Sequence, residues 1–141
     1  MNKTRILLIL AVLLTPLLVF AQDDEATPSS IVDQLSARCP SQQRDQWVIN
    51  SVETDGDTVV VELMTPSSLT AFLSVLTSDN SKAKRLWIQQ LSNFGDEWKR
   101  LVEYLAQEGL PMRLLLKPHG SHDVYSVFFA SNEVGTILAN D

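Results

Sequence analysis

The chain has 141 residues, 45% of them hydrophobic, with 17 acidic against 11 basic side chains, a formal net charge of −6 at pH 7 and a lone cysteine. That balance excludes nucleic acid as a partner, because affinity for phosphates rests on clustered Lys and Arg. It excludes an intramolecular disulfide as well, since Cys39 has no second cysteine to pair with, and stability must come from packing.

Residues 1–21 have the three-part pattern of a secretory signal. Lys3 and Arg5 give a positive start, Ile6 to Leu14 form an apolar run, Thr15 and Pro16 break it, and Val19-Phe20-Ala21 matches a signal-peptidase site. The apolar run is too short for a membrane span of about 20 residues. No cysteine follows it directly, so a bacterial lipid anchor has no attachment point. The expectation is an exported chain, periplasmic or extracellular, that begins near Gln22 and has no membrane span. Removing 1–21 takes two of the basic residues and none of the acids, leaving 120 residues with a net charge of −8. That length fits one domain, within the usual range of roughly 50 to 250 residues. Gln22 to Thr27, with Asp23-Asp24-Glu25, reads as a flexible acidic leader, and 28–141 as the domain.

Thr27-Pro28 predicts an N-cap and first helical residue, with Ile31, Leu35 and Cys39 as an apolar stripe and Pro40 as the stop. Trp47 to Thr54 and Thr58 to Met64 read as strands around the turn signal Asp55-Gly56. Thr65-Pro66 repeats the cap arrangement before Leu69, Phe72, Leu73 and Leu76, predicting a second helix. The clearest periodicity runs from Ser81 to Gln107, where Trp87, Leu91, Phe94, Trp98, Leu101 and Leu105 alternate by four and three. It predicts one long helix ended by Gly109 and Pro111, with Gly95 inside it to make space for a bulky neighbour. Met112 to Lys117 and Asp123 to Ala130 form a second strand pair, and Ser131 caps a final helix carrying Val134, Ile137 and Leu138.

The order is helix, strand, strand, helix, twice over, which suggests an α-β-β-α duplication of architecture. Hairpins pair antiparallel, and an oily sheet face needs a covering layer. The expected fold is therefore an α+β two-layer sandwich, a four-stranded antiparallel sheet with helices on one face; strand order is left open. Lys82, Lys84 and Arg85, with Lys99 and Arg100 further on, read as the solvated side of the long helix.

Few residues offer chemistry. Cys39 reads as core packing, because a reactive thiol needs an electropositive, partly exposed setting; the competing reading pairs it with His119 or His122 in a small hydrolase or thiol-dependent enzyme. His119, His122 and Asp123 are potential metal donors, but two or three ligands in a turn make no closed site. Ser67-Ser68 belongs to a helix start, and Asp96, Glu97, Glu103 and Glu108 to a solvated helix face. No catalytic, cofactor-binding or metal residue is assigned. The aromatic stripe either packs on the sheet or projects to meet a partner, and burial of Trp98 discriminates the two; a dimer seam along the long helix is a third reading.

The run Val32-Asp33-Gln34-Leu35 to Arg38-Cys39-Pro40, then a Trp/Ile strand, Asp55-Gly56 and a valine-rich strand, resembles small exported Bacteroidetes proteins of uncharacterised function. The likeness covers most of the exported chain. It implies an envelope or secreted protein and transfers no active-site residue. The leading expectation is an exported, non-catalytic binding or interaction domain of the bacterial envelope, engaging a protein or glycan.

Overall fold

A computed structural model describes residues 28–140; the expected signal (1–21) and leader (22–27) lie outside the described residues. The elements are α1 (Pro28–Ser36), β1 (Ser41–Gln42), β2 (Val48–Asp55) and β3 (Thr58–Thr65), then a 3-10 segment (Ser67–Phe72) running into α2 (Leu73–Leu76). They continue with α3 (Ser81–Asn93), α4 (Asp96–Glu108), β4 (Met112–Pro118), β5 (Tyr125–Phe129) and α5 (Glu133–Ala139).

The sheet has five strands in the order β1-β2-β3-β4-β5. It is mixed, with β3 and β4 parallel and every other pair antiparallel, which corrects the expectation of four antiparallel strands. Each hairpin signal was local and held. The relation between the hairpins is set by residues 66–111, a helical crossover that returns the chain to the starting end of the sheet, as parallel neighbours require. The short β1 carried too few residues to show a pattern. The expected α-β-β-α repeat is not exact, because the first half carries three strands and the second two.

Alternation decides which face is covered. Val59, Val61 and Leu63 of β3, Met112, Leu114 and Leu116 of β4, and Val127 and Phe129 of β5 are buried under the helices. Their alternates, among them Val60, Glu62, Arg113, Leu115 and Phe128, are half-buried or exposed on the open face. Ile49 and Val52 are three apart yet both fully buried; the β2–β3 register shifts between Ile49 and Ser51, and this bulge at Asn50 returns Val52 to the core side.

The long periodic stretch is two helices. Gly95 separates them with φ +148° and ψ 170°, a conformation open essentially to glycine alone. A Cβ there would meet nothing closer than Trp98 Cδ1 at 3.9 Å, so the reason for glycine is backbone geometry and not space for a neighbour. Asp96 and Glu97 then occupy the first turn of α4, where carboxylates complement the helix dipole. Gly109 ends α4 as expected, left-handed at φ 65°. Trp87, Ile88 and Leu91 from α3, and Trp98, Leu101, Val102 and Leu105 from α4, are buried; Trp98 at 3% exposure decides for packing on the sheet.

Two cap readings are corrected. Thr65 is no N-cap: it is fully buried at the end of β3, paired with Pro118, its carbonyl accepting from His119 N. The following segment is 3-10 and then a single α-turn. Ser131 gives way to Asn132 at the N-cap of α5, and the Glu133 carboxylate accepts from Ala130 N at 2.9 Å. In α1 the buried positions are Val32 and Leu35, with Ile31 only half-buried and Cys39 beyond the helix end. Lys84, expected on a solvated side, is 6% exposed. Its ammonium bonds Glu133 at 2.8 Å and Asp79 at 2.9 Å, and lies 5.7 Å from the Phe129 ring centre.

Candidate functional site

Five large hydrophobic side chains are exposed among the described residues: Phe72, Val75, Leu86, Val124 and Phe128. One of the five, Leu86, lines a groove, and two more, Phe72 and Val75, stand on the segment that supplies Leu69 and Leu76 to the same lining. The segment after β3 is apolar at 69, 72, 73 and 76, but it folds as a 3-10 stretch and one α-turn, too short to turn all four inward. Leu73 takes the core position, Leu69 and Leu76 are half-buried, and Phe72 is left 58% exposed. On the facing helix Trp87 points inward and donates Nε1–H to the Leu76 carbonyl at 2.8 Å, tying α2 to α3. Leu86, one residue earlier, is turned outward.

Between these walls lies an apolar cleft of about 200 Å³ lined by Trp47, Leu69, Leu76, Leu86, Trp87 and Gln90. Trp47 and Gln90 also line a second cleft of about 480 Å³, whose wall is polar: Gln43, Arg44 and Asp45 on one side, Asn93 and Phe94 on the other. The two clefts thus meet at Trp47 and Gln90 as one groove, oily at one end and rich in amides at the other. Its aromatic floor is rigid, because Trp47 packs edge-on against Trp87 at 6.1 Å and against Phe94 at 5.5 Å.

The polar wall is held in an unusual backbone. Asp45 and Gln46 are consecutive left-handed residues, at φ 58° and 71°, each costing of order 1 kcal/mol or more. Compensating bonds run from Gln43 N to the Trp47 carbonyl at 2.8 Å and from Ser67 N and Oγ to Gln46 Oε1 at 3.1 and 3.0 Å. The last two lock the loop to the start of the apolar segment, so both ends of the groove are positioned together.

The residues singled out for chemistry lie elsewhere. Cys39 is half-buried and donates its Sγ–H to the Leu35 carbonyl at 3.3 Å; burial pushes the thiol pKa up, away from thiolate. His119 and His122 are exposed in the β4–β5 connection, and Asp123 is held there by its backbone N–H on Ser121 Oγ. Among the described residues no three His, Cys, Asp or Glu side chains gather to hold a metal ion. The functional candidates missed by sequence reasoning are the 43–46 loop and Leu86. The polar run Ser41 to Gln46, ending at Trp47, marked a loop, but nothing in it announced the left-handed pair.

The fold is thus a two-layer α+β domain with a rigid aromatic groove. No family model and no curated protein matches the sequence. Among solved structures it is similar in fold to a Pseudomonas aeruginosa protein inferred to be secreted, with a TM-score of 0.50 at 7% identity, covering 76% of this chain and 88% of that one. At that identity the likeness concerns fold alone and adds nothing to the Bacteroidetes resemblance. Among the described residues no helix is long and apolar enough to cross a membrane.

Proposed function

We propose that the chain is an exported, non-catalytic binding domain of the bacterial envelope, formed by residues 28–141, and that it engages a protein partner in the groove floored by Trp47 and Trp87. The observation that carries this reading is an apolar cleft lined by Trp47, Leu69, Leu76, Trp87 and the exposed Leu86, with exposed Phe72 and Val75 on the segment that supplies Leu69 and Leu76. Large apolar side chains concentrated at one place on a surface mark interaction sites. An aromatic floor that excludes water, flanked by amides and a charged pair, is the anatomy of a binding hot spot with a polar rim. The apolar end favours protein over glycan, because Leu69, Leu76 and Leu86 offer no hydrogen bonds to hydroxyls.

Export rests on the pattern of residues 1–21, and the fold likeness to a protein inferred to be secreted is compatible with it. The thiol-enzyme alternative draws no support from a Cys39 whose Sγ–H is engaged by a carbonyl and whose pKa is raised.

The test uses the exported protein immobilised against envelope extract beside Leu86→Glu and Phe72→Ser variants. A component kept by the wild type and reduced about tenfold or more by Leu86→Glu, the scale of a hot-spot loss, supports the reading. Equal retention by all three overturns it. N-terminal sequencing of the exported chain checks cleavage after Ala21.

A further inference from the structure

The two remaining exposed hydrophobics lie at the opposite side of the molecule's sheet from β1, Phe128 within the β5 edge strand and Val124 directly before it. We propose that β5 is where a second copy of this chain docks, pairing antiparallel with its own counterpart about Val127 to give a continuous ten-stranded sheet.

The argument begins with the difference between the two sheet edges. Exposed strand edges invite pairing, and proteins blunt them with charges, bulges or short covering strands. The β2 side has all three: β1 covers Val48 and Ile49, the bulge follows at Asn50, and the uncovered remainder ends in exposed Glu53 and Asp55. β5 has none of them. Residues 124–130 carry no charge and no proline, and among the described residues the strand's only sheet neighbour is β4. Nor does the helical layer crowd it. A cleft of about 440 Å³ runs beside the strand, lined by Ser126, Val127 and Phe128 against Thr77 and Ser78, which leaves room for an added strand. The carboxylates at that cleft, Asp79 and Glu133, are both held by Lys84.

The strand is also complementary to itself. Antiparallel pairing about Val127 overlaps all five residues and sets Tyr125 opposite Phe129, an aromatic pair of the kind that stabilises sheets. Ser126 then faces Phe128, so a small side chain meets the large exposed ring on the open face, where Arg113 already lies 4.9 Å from that ring. Asp123 falls opposite Ser131, so no like charges are opposed. The long-range force is repulsive, because each exported copy carries a net charge of −8, and salt screens it. Self-pairing therefore strengthens as salt rises. A basic peptide seated on the same edge would instead weaken.

Sedimentation equilibrium of the full exported protein tests this, at low salt and at about 0.5 M salt, where screening is nearly complete. A dimer that tightens with salt is expected. Two charged variants follow, Ser126→Lys with Phe128→Lys, and Ser126→Asp with Phe128→Asp. Each alone should loosen self-association about tenfold or more by opposing like charges, and an equimolar mixture should restore a heterodimer. Ser126→Lys alone, at an exposed position, serves if a double variant fails to fold. A wild type that stays monomeric at both salts, a dimer that weakens with salt, or one indifferent to these substitutions overturns the proposal.

Discussion

Two apolar stretches of this chain look alike as sequence and end differently. In α4, Trp98, Leu101 and Leu105 recur at helical spacing and all three are buried against the sheet. In the 67–76 segment, Leu69, Phe72, Leu73 and Leu76 recur at similar spacing, and only Leu73 is fully withdrawn. Length separates them. The 13 residues of α4 keep one stripe on one line for more than three turns, whereas a 3-10 stretch of 6 residues followed by 4 of α-helix changes pitch midway and turns its apolar side chains apart. The first stretch holds the fold together. The second presents a surface.

The sharpest break in that comparison comes from truncation. Trp98→Ala should lose about 3–5 kcal/mol in urea unfolding, the cost of a large core cavity, while Phe72→Ser and Leu86→Ser should stay within about 0.5 kcal/mol. Comparable losses at both places would erase the distinction.

Lys84 joins the two regions, since α3 carries it between the groove and α5. Burial disfavours its charge, yet hydrogen bonds and charges from Glu133 and Asp79 outweigh that and raise its pKa above the ordinary lysine value. Glu133→Gln should cost about 1–3 kcal/mol, less than a fully buried pair because Asp79 remains, whereas Lys84→Met should be near neutral. A pKa raised in the folded state means that the ion pairs contribute fully below the unfolded lysine value and are lost as pH rises through the folded one. The Tyr104 phenol, raised by burial and then by Glu108, acts in the same direction. Stability should therefore fall on the alkaline side, above about pH 10, and Lys84→Met should flatten that fall in a pH series of unfolding midpoints.

Gly95→Ala places a Cβ at φ +148° and should cost about 1–3 kcal/mol; a neutral result would mean that the α3–α4 break is not needed. The smallest effect is at Cys39, half-buried with a weak bond to the Leu35 carbonyl. Cys39→Ser should change stability by less than about 1.5 kcal/mol, and thiol labelling at neutral pH should be slow. Fast labelling would reopen the enzyme reading.

Much of the fold was legible because its signals are local. Gly56, at φ +63°, turns the β2–β3 hairpin, Gly109 ends α4, and the α4 stripe is buried as its spacing predicts. The parallel β3–β4 pair was not legible, because helix packing across residues 66–111 decides it and no hairpin signal reports it. Thr65-Pro66 has the composition of a cap, but strand pairing with Pro118 prevailed. Two signals were present and missed. Lys84 falls on the stripe of Trp87, Ile88 and Leu91 at i, i+3, i+4 and i+7, which marks it for burial; and the spacing of Ile49 and Val52 by three marks a bulge. The groove was hidden for a different reason, since Leu86 and Phe72 differ from buried neighbours only in which way a short element turns them.

Titrating the captured envelope component into the protein while following tryptophan emission reads the groove directly, because Trp47 and Trp87 line it and Trp98 does not. The account expects a saturable shift in the wild type that Leu86→Glu abolishes while its unfolding midpoint stays put. A shift that survives in Leu86→Glu, or one lost only together with stability, would contradict it.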